Sequence, residues 1–233
     1  MRSAIRIPHE QGLFRDLIIL KASQCIKVPP ETNLTKLACA EPLAVCMHAA
    51  KMSGSLKGKR VLVTGAGPIG SLCTAVAAAH GATEIVVTDI FDETLNVAKE
   101  MGATQVVNVA TNSDALNKFQ QNKGHFDIAF ECSAVASAIA TAVHTLLPRG
   151  ILIQVGVAGD TPLPINAIVA KEIKFQGTHR FHEEFSEAVA AIASGDIDVS
   201  PMITGVYQLD DVQQAFEAAM DRRRSVKVHL KFN

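Results

Sequence analysis

The run Arg60-Val61-Leu62-Val63-Thr64-Gly65-Ala66-Gly67-Pro68-Ile69-Gly70 constrains this chain more than any other stretch. An apolar strand pattern meets three spaced glycines, and an apolar helical pattern follows. A second strand pattern, Glu84-Ile85-Val86-Val87-Thr88, ends on Asp89, 19 residues after Gly70. Each glycine has its own task in such a turn. Gly65 permits the tight bend, Gly67 leaves the backbone bare for a pyrophosphate, and Gly70 lets the helix lie close to the strand. Pro68 and Ile69 open that helix, whose free N–H groups and positive end suit phosphates. A carboxylate at Asp89 suits both ribose hydroxyls and repels a 2′-phosphate, so the pattern favours NAD over NADP. No arginine directly follows Asp89 to hold a 2′-phosphate. Methyltransferases use a similar turn and acid for a nucleoside ligand, and that alternative stays open here.

Strand and helix patterns alternate after Arg60. Strands are expected at 60–64, 84–89, 105–109, 126–131, 150–156 and 172–178. Helices are expected at 68–80, 92–101, 112–121 and 135–147. Ile69, Leu72, Cys73, Val76 and Ala77 share one face of the first of these helices. Strands that read as continuous apolar runs are buried on both faces, as in a parallel sheet. Six of them with crossover helices predict an α/β fold: a doubly wound six-stranded parallel sheet of the Rossmann type. Val155 and Gly156 are expected to end the fifth strand at the ligand edge, with His179 lining the same region. Before this unit, Asp16–Leu20 and Gln24–Val28 read as strands, Leu34–Cys39 as a short helix, and residues 42–52 as a helix opened by Pro42. After it come helices at 184–194 and 210–221, the second capped by Asp210 or Asp211, and a strand at 226–232.

The chain has 233 residues, enough for a self-sufficient core. Its formal net charge is −1, which speaks against nucleic acid as a partner. Arg222, Arg223 and Arg224 form one short basic cluster, read as a solvated helix end. The sequence contains neither an apolar run of membrane-spanning length nor an opening signal peptide pattern. Its five cysteines form no C-x-x-C pair and are read as small core residues in a reducing cytoplasm.

Three stretches resemble the medium-chain, zinc-type alcohol and polyol dehydrogenases: Glu41-Pro42-Leu43-Ala44-Val45 with His48-Ala49, the turn Gly65-Ala66-Gly67-Pro68-Ile69-Gly70, and the tail around Tyr207-Gln208-Leu209 and Val226-Lys227-Val228. The resemblance implies an oxidoreductase that passes a hydride between a secondary alcohol of a polyol or sugar acid and nicotinamide. It further implies a homodimer or tetramer and a cytoplasmic enzyme. It places Glu41 beside the family's catalytic zinc and Arg180 after the sixth strand, in reach of pairing with Glu41; His48 reads as a packed histidine. It divides the chain into a remnant of a GroES-like substrate domain at 1–41, a dinucleotide domain at 42–178, and a return to the substrate domain at 179–233. The family's G-x-C-G-S-D and G-H-E zinc motifs are absent, so no residue here is assigned to metal; His9-Glu10 follows Pro8 and does not replace the pair. The resemblance thus covers the later part of the family's chain, and turnover without that metal is expected to be poor.

Two further classes compete. One is a non-catalytic dinucleotide-binding or oligomerisation module, in which the edge strand 172–177 pairs with a second copy. The other, a short-chain reductase, needs Y-x-x-x-K, and the single tyrosine, Tyr207, is followed by Gln208-Leu209-Asp210-Asp211.

Overall fold

A computed structural model describes residues 14–157 and 159–232. The central unit alternates as expected: β1 (Arg60–Thr64), α3 (Pro68–Ala79), β2 (Glu84–Asp89), α4 (Asp92–Glu100), β3 (Gln105–Asn108), β4 (Phe126–Glu131), α5 (Ala136–Thr145), β5 (Leu146–Gln154), α6 (Ile165–Ala170) and β6 (Lys174–Gly177). It is preceded by α1 (Leu34–Leu37) and α2 (Ala40–Ser53). Following it are α7 (Glu184–Ser194), β7 (Ile203–Gln208), α8 (Val212–Met220) and β8 (Lys227–Lys231).

The six strands form one parallel sheet in the order β3-β2-β1-β4-β5-β6. The order reverses between β1 and β4, and the carboxyl ends of those two strands border the crevice where such sheets take ligands. Alternate side chains build two cores. Val61, Val63, Ile85, Val87, Ile128, Phe130 and Ile153 face one side, with α2 and α3. Leu62, Val86, Ala129 and Leu152 face the other, with Phe126, Val143 and Leu146. Burial on both faces explains why these strands read as unbroken apolar runs rather than as an alternation.

Several expected elements differ. Neither Asp16–Leu20 nor Gln24–Val28 is a strand; the segment is irregular with one 3-10 turn at Ala22–Gln24. Leu17 is 88% and Ile19 99% exposed, so their alternation finds no neighbouring strand to pair with. The 112–121 helix is a 3-10 stretch over Ser113–Lys123, broken where Asn122 takes φ +53°. β5 begins at Leu146, four residues early, and absorbs Pro148 and the positive φ of Arg149 through a register shift against β4. β5 ends at Gln154, so Val155 and Gly156 follow the strand instead of ending it. β6 is shorter than expected because Glu172 turns at φ +51°.

α3 is not amphipathic in its setting: Gly70 to Ala77 are all buried, because the helix lies between β1 and helices α2 and α4. Asp211 stands at the N-cap of α8, but its side chain makes no capping bond. Arg222 to Arg224 are exposed in the turn after α8. β7 and β8 form a separate two-stranded parallel sheet. No described helix is long and apolar enough to cross a membrane.

Candidate functional site

The glycine turn owes its shape to contacts that a side chain would destroy. Gly65 takes φ +88°, and a Cβ there would lie 3.0 Å from the Ser133 backbone nitrogen. A Cβ on Gly70 would lie 1.7 Å from the Gly65 carbonyl oxygen. Around Gly67 nothing lies within 4 Å of a Cβ position, so the turn is open where a phosphate group would rest. Gly67 is also the N-cap of α3, with Pro68 at the first helical position. The first amides of the helix therefore have no intrahelical acceptor and face the same opening.

Asp89 closes the turn from the neighbouring strand. One carboxylate oxygen accepts the Ala66 N–H at 2.6 Å; the other accepts the N–H groups of Ile90 at 2.7 Å and Phe91 at 3.2 Å. The acid is half-buried, and these bonds hold its head group beside the glycines it was expected to complement. In the first turn of α4 Thr94 is buried, its hydroxyl donating to the Phe91 carbonyl at 2.9 Å.

A second acid, missed in the sequence, holds the other half of the crevice. Glu131 ends β4 and is fully buried. Its carboxylate accepts from Thr64 Oγ1 at 3.2 Å, Ser133 N at 2.9 Å, Ala134 N at 3.0 Å and Gln154 Nε2 at 2.5 Å, with the Ser133 hydroxyl as a further donor. Its backbone carbonyl accepts the N–H groups of Val155 at 2.9 Å and Gly156 at 2.8 Å. The signal was present: a charge closes the otherwise mostly apolar run 126–130 on a central strand, where only a paired acid is tolerated.

Cys46, Cys73 and Cys132 meet behind the turn, with Cys132 Sγ 3.9 Å from Cys73 Sγ and the Cys46 thiol donating to the Ile69 carbonyl at 3.4 Å. Burial pushes the Cys46 thiol up, as does Cys73 beside it. All five cysteines are free: Cys25 is exposed, Cys39, Cys46 and Cys73 are buried and Cys132 is half-buried.

The remaining expected site residues are less tightly gathered. His179 is exposed and directly follows Thr178, whose N–H donates to the Gln154 carbonyl at 3.1 Å; it sits at the same sheet edge as Val155. Arg180 is half-buried at φ +60°. Glu41 lies inside the first turn of α2, whose N-cap is Cys39. Its side chain is exposed on α2. His9 and Glu10 lie outside the described residues.

His48 packs between helices, as expected, and its Nδ1 lies 3.3 Å from Glu184. Glu184, 4% exposed, also accepts the His182 N–H at 2.7 Å and lies 3.4 Å from Lys51 Nζ. Burial alone would raise its pKa. The backbone N–H groups of His182 and Glu184, then His48 and Lys51, outweigh it and bring the carboxyl down to about 2. A carboxyl lower in the fold than in the unfolded chain stabilises fully above the unfolded value and loses that contribution as pH falls towards the folded one. Urea unfolding from pH 5 to pH 2 should therefore show wild type losing on the order of 2 kcal/mol more than Glu184→Gln. Parallel pH curves for the two proteins would remove Glu184 from this role.

These features define a class: an α/β sheet of the dinucleotide-binding type, with an open glycine turn after β1 and an acid at the end of β2. The chain belongs to the zinc-binding dehydrogenase family, whose pattern it matches over residues 68–194. It is 37% identical to L-idonate 5-dehydrogenase (NAD(P)(+)) of Escherichia coli K12 across 99% of its own length and 67% of that protein. That is the member which Ile5–Gly12, Ser23–Cys25 and Gly177–Phe181 with Glu184-Phe185 resemble in sequence. The crystal structure of the E. coli enzyme superposes with a TM-score of 0.92 over 98% of this chain and 66% of that one. Sorbitol dehydrogenase 1 of Saccharomyces cerevisiae is 36% identical over 82% of this chain and 56% of that protein. The chain thus spans about two thirds or less of the length of these relatives. Membership of this family removes the methyltransferase alternative.

The zinc in the family's name has no matching donor set among the described residues: no three His, Cys, Asp or Glu side chains gather as a metal site. The three neighbouring thiols are packed against one another and a carbonyl, and among the described residues no acid or imidazole is hydrogen-bonded to them. The described residues do not fit the metal.

Proposed function

We propose that this chain binds NAD across the β1/β4 crevice and serves as the cofactor-binding part of a polyol or sugar-acid dehydrogenase of the L-idonate 5-dehydrogenase kind. The observation that carries this reading is the Ala66–Asp89 bond, which sets a carboxylate one strand away from an open glycine turn. In the proposed complex the α3 amides and the bare Gly67 backbone hold the diphosphate. The Asp89 oxygen that accepts only the Ala66 N–H keeps a lone pair for the ribose hydroxyls, and the carboxylate charge disfavours a 2′-phosphate, so NAD is preferred to NADP. Val155, Gly156 and His179 border the nicotinamide side. Bound nicotinamide supplies the hydride acceptor.

Glu41 and Arg180 are assigned to the substrate side of the crevice, on α2 and on the turn after β6. The division into 1–41, 42–178 and 179–233 follows from the same reading. Without a gathered metal donor set, alcohol turnover by this chain is proposed to be weak. That observation favours, as a second reading, a dinucleotide-binding or oligomerisation module without catalysis. In both readings the free edge of β6 pairs with a second copy to give a homodimer or tetramer, and the free thiols suit the cytoplasm.

Calorimetry with NAD, NADP and S-adenosylmethionine tests the proposal, run beside an oxidation assay on L-idonate and sorbitol. NAD should bind at least about tenfold more tightly than NADP, one ion-pair-sized difference, and S-adenosylmethionine not at all. A chain that ignores both dinucleotides is not a cofactor-binding unit. Brisk oxidation of either alcohol would contradict the weak turnover and exclude the non-catalytic module.

A further inference from the structure

We propose that Glu131 is a positioning residue for the nicotinamide half of the dinucleotide, acting through the backbone of Ser133 and Ala134 and the side chain of Gln154; this rests on the dinucleotide reading above. An acid is tolerated in a core only with its oxygens satisfied. Here the donors come from three separate places: the end of β1 (Thr64), the loop after β4 (Ser133 and Ala134) and the end of β5 (Gln154). Packing alone would not require so many converging donors. They tie together the carboxyl ends of the three strands that flank the reversal of strand order.

The tied backbone forms the wall of the crevice. Ala134 adopts φ +60°, a conformation that a non-glycine residue keeps only when its surroundings enforce it. Its N–H is held by Glu131. Across the crevice, a Cβ on Gly156 would stand 2.8 Å from Ala134 N and 3.0 Å from Glu131 Oε2. A Cβ on Gly65 would stand 3.0 Å from Ser133 N. The loop after β4 therefore touches the glycine turn on one side and the segment after β5 on the other, with no slack at either contact. Gln154 donates to Glu131 and to the Gly156 carbonyl, at 2.8 Å, and its Oε1 is buried with no donor among the described residues. The amide is thus locked, with one acceptor left over at the end of β5.

In a sheet of this kind the adenosine half rests over β1 to β3 and the nicotinamide half over β4 to β6. Asp89 serves the first half, and the Glu131 cluster stands under the second. Glu131→Gln keeps the shape but turns an N–H2 towards backbone donors, which loosens the loop without removing Asp89 or the glycines.

Calorimetry on the full chain with ADP and with NAD, beside a thermal melt, separates the alternatives. Wild type should bind both. Glu131→Gln, still folded, should bind NAD about tenfold more weakly while ADP affinity stays within about twofold. Equal losses for both ligands, or none for either, would overturn the assignment, since a merely structural acid does not distinguish the two halves. A wild type that binds ADP and NAD, with a variant that matches it, sinks this proposal alone; a wild type that binds neither sinks the dinucleotide reading with it. Should Glu131→Gln fail to fold, Ser133→Ala removes one donor at a half-buried site. It should weaken NAD by about threefold and spare ADP, and unchanged NAD affinity in that variant overturns the role.

Discussion

Gly70→Ala should destabilise the protein by about 3 kcal/mol or more, the upper end for forcing atoms into a packed site. Its methyl group would stand 1.7 Å from the Gly65 carbonyl oxygen, a backbone atom that cannot swing aside. Relief requires α3 to move away from β1, yet that helix is buried from Gly70 to Ala77 and also packs on α2. Gly67→Ala is the contrasting substitution. Nothing lies within 4 Å of its Cβ position, so the urea midpoint should stay within about 0.5 kcal/mol of wild type. NAD affinity should nevertheless fall, because the added methyl occupies the open side of the turn. The pair separates a glycine needed for packing from one needed for ligand approach. Equal stability losses for the two variants would mean that helix and strand are not in the contact described.

Asp89→Ala should cost NAD binding ~1.5–3 kcal/mol, the range for hydrogen bonds to a charged acceptor. The change acts twice. It removes the acceptor for two ribose hydroxyls, and it strands the N–H of Ala66, which loses its 2.6 Å partner within the turn. The second effect also lowers stability by about 1 kcal/mol. Asp89→Asn separates the contributions, since an amide oxygen still accepts from Ala66 but carries no charge. It should recover most of the stability, and the ratio of NAD to NADP affinity should fall towards one. Titrations in which Asp89→Ala binds NAD as wild type does would take the acid out of the site.

The extent of the site legible from sequence varied by residue type. Gly65, Gly67, Gly70 and Asp89 announce themselves because their tasks are local: each depends on backbone within a few residues or on one adjacent strand. Glu131 carries equal weight in the structure but no local motif, since its donors lie at positions 64, 133, 134 and 154. At α2 the expected start at Pro42 is two residues late: the helix begins at Ala40 and leaves Glu41 exposed in its first turn. The segments 16–20 and 24–28 have strand composition, but composition cannot supply a neighbour, and they remain irregular.

From the sequence alone came the parallel αβ alternation, the glycine turn with an acid one strand over, and the family resemblance, because buried strands, turn geometry and helix starts are written in short-range patterns. Tertiary structure decided that Glu131 gathers donors from β1, the loop after β4 and β5, why α3 is buried from Gly70 to Ala77, and that Glu41 stays exposed. Those outcomes depend on contacts between residues dozens to more than a hundred positions apart, and only the folded sheet brings such residues within hydrogen-bonding distance or keeps them from it.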